Sequence, residues 1–166
     1  MHEAPPDPPQ RVPIGSRAEL QAALLLLIGR TRRQLRMAAA DLSVLALGDV
    51  QPVAAMRGLL LGHPGSRIRL LVDDMSWLDT RAPRLRSLQR DFSHALLIRC
   101  ADFQDPVGQD VVAIGDDLDA LRLQPTVGIL GELWCHHGPF AQPLISEFDH
   151  RWQRALHDQP AQPLGL

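Results

Sequence analysis

Residues 109–125 read QDVVAIGDDLDALRLQP and contain two short apolar runs that flank a pair of aspartates. In the second run, apolar and polar side chains alternate as they do in a half-buried β-strand. Asp116 and Asp117 are residue types that favour tight turns. The stretch therefore predicts a β-hairpin whose strands lie near 110–115 and 118–123.

Upstream of the hairpin, helices and strands are expected to alternate. Ser16 and Glu19 form a capping box that begins a helix near 17–33. Asp49 caps a second helix, which ends before the GHPG at 62–65. Three apolar runs have the length of strands: QLRMAAA (34–40), RIRLLVDD (67–74) and ALLIRC (95–100).

The chain beyond the hairpin is expected to close with a helix over 140–157. Its large apolar residues recur at every fourth position, at Leu144, Phe148, Trp152 and Leu156. The segment 34–74 predicts a right-handed, parallel β–α–β unit. Together these elements predict an α/β fold, with a mixed, partly parallel β-sheet flanked by helices.

The ordered part of the chain is expected to be one domain. The sequence has 166 residues, of which 45% are apolar, and this supports one hydrophobic core. We place the domain at 16–158, between a disordered proline-rich tail at 1–15 and a disordered tail at 159–166. Two cysteines without a C-x-x-C pair, no membrane span and no signal peptide make the cytoplasm the expected location.

All 17 basic residues are arginines, and the chain contains no lysine. Schiff-base chemistry and a lysine-dependent phosphate loop are therefore excluded. The net charge is +5 over residues 1–100 and −7 over residues 101–166. This separation is compatible with an anionic partner, with self-association, or with two ordinary solvated surfaces.

The order of elements, the LVDD at 71–74 and the FDHRW at 148–152 resemble one half of the phospholipase D-like fold. More narrowly, the chain is similar to an uncharacterised bacterial phospholipase D-like domain that is found alone or behind acetyltransferase domains. The resemblance covers about residues 16–157. Members of the superfamily place two halves across a two-fold axis, within one chain or as a homodimer, so the resemblance implies that this single half forms a homodimer.

Enzymes of the superfamily carry the motif H-x-K-x-x-x-x-D on the strand that enters the hairpin. If its aspartate is Asp117, the histidine and lysine positions fall on Asp110 and Val112. Moving the motif one residue earlier gives the other alternative, Gln109, Val111 and Asp116. Neither alternative supplies a nucleophile or a cation. The resemblance thus implies a catalytically inactive module, without catalytic residues or a cofactor, that binds a small anionic ligand or a protein partner.

The candidate ligand-binding residues are Asp41, Asp73, Asp110 and His136. Asp41, Asp73 and Asp74 follow two predicted parallel strands, at the edge of the sheet where open α/β folds bind ligands. Three carboxylates there could hold Mg²⁺, which gives the alternative hypothesis of a metal-dependent phosphoesterase or nuclease. The competing interpretation is that these aspartates cap turns and helix starts.

Two further features have ordinary structural interpretations. The WCHH at 134–137 contains metal-ligating residue types, but no second ligand pair at zinc spacing exists, and we interpret it as a surface loop with a buried tryptophan. Arginines cluster at 30–36 and 81–90. Because aromatic residues do not alternate with them, nucleic-acid binding is disfavoured.

Overall fold

The structure is a computed structural model that describes residues 4–5, 7–124 and 126–155. The strands in this part of the chain are β1 (Gln10–Ile14), β2 (Gln34–Ala39), β3 (Arg67–Val72), β4 (Leu96–Cys100), β5 (Val111–Gly115), β6 (Asp119–Leu123) and β7 (Gly131–Cys135). The helices are α1 (Arg17–Arg30), α2 (Val50–Gly62), α3 (Ser76–Arg81), α4 (Pro83–Asp91) and α5 (Gly138–Arg154). The predicted hairpin is β5 with β6, and the predicted closing helix is α5.

The strands form one sheet in the order β1-β7-β6-β5-β2-β3-β4. β2, β3 and β4 are parallel to one another, and the other neighbouring pairs are antiparallel. The predicted mixed, partly parallel sheet is therefore confirmed. β2 joins its two parts, because it pairs in parallel with β3 and antiparallel with β5.

The two faces of the sheet are covered by different helices. Alternation along the strands sends Leu35 and Leu70 into a large core shared with α1, α2 and α4. Ala38 and Leu71 lie on the opposite face, in a second core that α5 covers with Trp152 and its neighbours. The sheet is thus the middle layer of three, and we call this second face the α5 side.

Helix α1 begins after the predicted N-cap residue, Ser16, and the carboxylate of Glu19 accepts a hydrogen bond from the hydroxyl of Ser16 at 3.2 Å. The hydroxyl of Ser16 accepts a hydrogen bond from the amide of Glu19 at 3.1 Å. The helix ends at Arg30, before the predicted limit, because the following backbone leaves helical geometry at Thr31. Asp49 is the N-cap residue of α2, but its side chain makes no capping hydrogen bond.

Two strands differ from the sequence-based expectation. Gln10–Ile14 was expected within the disordered tail, yet β1 pairs with β7 from Gln10–Cys135 to Ile14–Gly131. Pro13 is compatible with this strand because β1 lies at the edge of the sheet and pairs on one side only. The second difference is β7 itself, which occupies a segment interpreted as a loop. The predicted tail at 159–166 lies outside the described residues.

None of the helices within residues 4–5, 7–124 and 126–155 has the length and apolar character that crossing a bilayer requires.

Candidate functional site

An open cleft of about 500 Å³ lies at the carboxyl ends of β2 and β6, beside the start of β5. Its walls come from the loop after β2, the loop that enters β5 and the loop after β6. We call this space the hairpin cleft. The lining residues are Ala39, Ala40, Asp41, Ser43, Val44, Gly108, Gln109, Val111, Leu123, Gln124, Thr126, Val127 and Gly128.

Two glycines shape the walls of the hairpin cleft. Gly108 and Gly128 have φ angles of 65° and 103°, in the region that residues with a side chain rarely adopt. A Cβ atom at either position would find no heavy atom within 4 Å. Glycine is therefore required for the backbone conformation of these loops, and space is not the constraint.

Asp73 holds the loop that enters β5. Its carboxylate accepts hydrogen bonds from the backbone amides of Val107 and Gly108, both at 2.8 Å. These amides lie more than thirty residues further along the chain, so Asp73 fixes one wall of the cleft to the end of β3. Asp73 is not among the residues that line the cleft, and its role in ligand binding stays a prediction.

Asp41 and Asp74 are also engaged by local groups. Asp41 accepts hydrogen bonds from the amide of Ser43, at 2.8 Å, and from its hydroxyl. Asp74 accepts one from the amide of Ser76 at 2.8 Å, and this bond lowers the pKa of Asp74. Asp41 and Asp74 therefore each cap their own turn. In the described part of the chain, no group of three His, Cys, Asp or Glu residues is arranged to hold a metal ion.

The two alignments of the H-x-K motif place its histidine and lysine positions beside different cavities. Gln109 and Val111 line the hairpin cleft, whereas Asp110 and Val112 face α5 beside a cavity of about 10 Å³. A cavity of that volume has room for about one water molecule. Only the alignment that ends on Asp116 therefore places its histidine and lysine positions beside a space that admits a ligand.

Asp116 itself anchors the hairpin turn. Its carboxylate accepts hydrogen bonds from the amides of Arg32 (3.0 Å), Arg33 (2.9 Å) and Gln34 (3.0 Å). The residue has a φ of 51°, a conformation that aspartate tolerates better than most residues. Asp116 thus ties the turn between β5 and β6 to the start of β2 and lies away from the cleft.

Asp110, a predicted ligand-binding residue, forms an ion pair on the α5 side of the sheet. Its carboxylate lies 3.3 Å from the guanidinium of Arg151. Arg151 also contacts Asp105 at 3.4 Å and Glu147 at 3.1 Å. This network fastens the loop before β5 to α5, and it lies outside the hairpin cleft.

His136, the fourth predicted ligand-binding residue, belongs to a separate polar cluster. Its amide donates to Asp119 at 2.8 Å, and its Nε2 lies 2.6 Å from Nη2 of Arg30. Asp119 is buried, and its hydrogen bond with Arg30 at 2.9 Å raises the pKa of that guanidinium. Asp119 begins β6, whereas the cleft adjoins the other end of this strand, so His136 does not reach the cleft.

The WCHH segment is not the surface loop that we expected. Trp134 and Cys135 lie in β7, and Trp134 is half-buried, with its ring 4.6 Å from that of His137. Cys135 is buried, and burial raises the pKa of its thiol. Burial, followed by the charge of Asp73, also raises the pKa of Cys100. Neither thiol has the lowered pKa of a nucleophile.

The lining of the hairpin cleft is mostly uncharged. Among the described residues that line it, Asp41 is the single ionisable one, and Gln109 and Gln124 supply amides. Val44 and Val127 are exposed at its mouth. The contributions of Gln124 and the two valines could not be predicted, because their loops carry only a turn signal in the sequence.

Solved structures similar to this chain share its architecture. Nuc from Salmonella typhimurium, described as a phospholipase D family member, is 14% identical with a TM-score of 0.65; the match covers 92% of this chain and 99% of that one. NucT from Helicobacter pylori is 10% identical with a TM-score of 0.61, over 90% of this chain and 98% of that one. The chain therefore has a phospholipase D-like fold.

Within that fold, the chain belongs to the family described as Domain of unknown function (DUF7931), whose model matches residues 16–164. A third similar structure is TrmBL2, described as an archaeal chromatin protein with a novel mode of DNA binding. It is 10% identical, with a TM-score of 0.65 over 89% of this chain, and the chain spans 55% of its length. A search of curated proteins finds no match.

Proposed function

We propose that this protein is a phospholipase D-like module without catalytic activity, which binds a second copy of itself through the hairpin cleft. One observation carries the proposal. Gln109 and Val111 line the cleft, and in the alignment that ends on Asp116 they take the places of the histidine and lysine of the motif. A carboxamide does not attack phosphorus, and an isopropyl group cannot hold a phosphate oxygen, so both chemical functions are absent from these positions.

The electrostatics of the cleft favour a protein surface over the anionic ligand that the sequence analysis also allowed. In the described part of the chain, Asp41 is the single charged residue that lines the cleft, and it carries the same sign as a phosphodiester. An anion entering the cleft would approach this carboxylate without an opposing cation, which is unfavourable in a partly desolvated site.

Apolar side chains exposed around the cleft support a protein partner. Val44 and Val127 are exposed at its mouth, and Leu130 and Phe103 are exposed on neighbouring loops. Phe103 is 98% exposed. Large apolar residues gathered at one end of a domain are typical of surfaces that bind other proteins.

A second copy of the chain is the partner that best fits these observations. The match covers nearly the whole of Nuc and of NucT, so the chain contains the same single structural unit. The charge of +5 over residues 1–100 and −7 over residues 101–166 allows opposite charges to meet across a two-fold axis. The unpaired Cys100 and Cys135 support a reducing location, and we place the protein in the cytoplasm.

A phosphodiesterase assay tests the absence of catalysis. Purified protein should not hydrolyse bis(p-nitrophenyl) phosphate in EDTA, Mg²⁺ or Mn²⁺. The Gln109→Ala and Asp41→Asn variants are the matched controls, since a contaminating enzyme would leave its activity in all three samples. Turnover by the parent that either substitution abolishes would show that the cleft is an active site and would contradict the proposal.

A further inference from the structure

Three arginines lie on the α5 side of the sheet, on three neighbouring strands. Arg36 in β2 and Arg69 in β3 are register partners, so their Cα atoms face each other across adjacent strands. Arg99 in β4 is the register partner of Leu71, which lies on the same side of the sheet as Arg69. We call Arg36, Arg69 and Arg99 the arginine face.

Two members of the arginine face have their guanidinium groups held in place. Arg36 lies 3.3 Å from Asp149 and 3.5 Å from Asp117. Arg99 stacks 4.3 Å from the ring of Trp152 and donates a hydrogen bond to its carbonyl oxygen at 3.0 Å. These contacts fix the positions of two cations before any ligand is present, which lowers the entropic cost of binding one.

Arg69 lies between these two cations and differs from them. Its Nε atom is buried and has no hydrogen-bond partner among the described residues. The ring of Trp152, 6.0 Å from its guanidinium, is too far to accept a hydrogen bond. Burial, followed by the positive charge of Arg36, lowers the pKa of Arg69. A buried donor without an acceptor is unfavourable, and an anion would supply the acceptor.

We infer that the arginine face binds a small tetrahedral oxyanion of the phosphate class, either free phosphate or a phosphomonoester. Arg69 donates its Nε–H to the anion, and Arg36 and Arg99 contribute positive charge. Guanidinium groups suit such a ligand because their planar array of donors matches two oxygens at once. The site uses no residue of the hairpin cleft, so it goes beyond the proposed function and does not depend on it.

Thermal unfolding in inorganic phosphate tests this inference with the full chain. Phosphate at ten times its Kd should raise the Tm by about 3–6 °C, relative to sodium chloride at the same ionic strength. The Arg69→Met variant should lose this shift. Arg84→Met is the matched control, because Arg84 is exposed on α4 and its replacement removes the same charge.

Two further measurements separate ligand binding by Arg69 from a purely structural role. Without phosphate, Arg69→Met should melt at or above the Tm of the parent, because it removes a desolvated cation beside other cations. Isothermal titration should give a Kd at least ten times weaker for Arg69→Lys, whose ammonium cannot bind two oxygens in a plane. An equal phosphate shift in the parent and in Arg69→Met would overturn the inference.

The titration also identifies the source of the anion. Tighter binding of glycerol 3-phosphate than of inorganic phosphate would assign the site to a phosphomonoester, and the reverse order to free phosphate. The competing explanation is that a carboxylate of the chain itself, and not a bound anion, occupies the arginine face. The candidate is Asp158, which lies outside the described residues. If phosphate stabilises Asp158→Asn but not the parent, that explanation holds and the inference is wrong.

Discussion

The rings of Phe148 and Trp152 stack on α5, with their centroids 5.7 Å apart and 16° between their planes. Both side chains are buried on the α5 side of the sheet, in one core with Ala38 and Leu71. Alternation in the strands and the four-residue spacing in the helix bring these side chains together. The pair therefore attaches α5 to the sheet.

Replacing Trp152 should destabilise the domain strongly. Trp152→Ala removes the stacked ring and leaves a cavity in the second core, so the free energy of unfolding should fall by about 3–5 kcal/mol. Leu61→Ala is the control, because Leu61 is exposed on α2, away from the proposed dimer surface, and its loss should change stability by less than about 0.5 kcal/mol. Urea unfolding measures the free energy of unfolding of both variants. Similar losses in the two variants would mean that α5 is not packed against the sheet as described.

Asp73 is expected to stabilise a loop and to have no part in metal binding. Asp73→Ala leaves the amides of Val107 and Gly108 without their acceptor, which should cost about 1–3 kcal/mol. Mg²⁺ at millimolar concentration should not change the Tm of the parent or of the variant. A Mg²⁺-dependent rise in the Tm that Asp73→Asn abolishes would favour the phosphoesterase alternative.

Two glycines should respond to alanine in opposite directions. A Cβ atom at Gly131 would clash with the carbonyl oxygen of Arg122 on the neighbouring strand, so Gly131→Ala should lower the free energy of unfolding by about 2 kcal/mol or more. Gly29 lies in α1 with no heavy atom near its Cβ position, and Gly29→Ala should raise stability by about 0.5–1 kcal/mol. Equal effects in chemical denaturation would contradict the pairing of β6 with β7.

Acid should loosen the edge strand β1. The hydrogen bond from Arg11 lowers the pKa of Glu132 below its ordinary value of 4.5. A depressed folded-state pKa adds stability above the unfolded-state pKa, and this stability is lost as the pH falls through the folded-state value. As the pH falls from 5 to 3, hydrogen exchange in β1 should therefore accelerate relative to exchange in β2. This relative acceleration should be larger in the parent than in Glu132→Gln. The same acceleration in both proteins would exclude this ion pair as the cause.

The sequence predicts the centre of the fold better than its edge. β2, β3, β5 and β6 are apolar runs of strand length, and the capping box at Ser16 marks the start of α1. β1 escapes prediction because Pro13 and its proline-rich surroundings are typical of a disordered tail. Its strand conformation depends on pairing with β7, which lies more than a hundred residues away.

The site is less predictable because its geometry depends on contacts between distant residues. The sequence allows both Asp110 and Gln109 at the histidine position, and the choice depends on which side of β5 faces α5. The partners of Asp73 lie on another loop, so its role as an anchor has no local signal. The alignment of Arg36, Arg69 and Arg99 likewise results from three strands meeting in one register.

Sedimentation equilibrium of the purified protein tests the central claim most directly. At micromolar concentration and moderate salt, the parent should have twice the monomer mass of 18.4 kDa. Val127→Asp, at the mouth of the cleft, should give the monomer mass, whereas Leu61→Asp on the exposed face of α2 should remain a dimer. A mass of 18.4 kDa for the parent at every concentration, or a dimer that Val127→Asp leaves intact, would contradict self-association through the hairpin cleft.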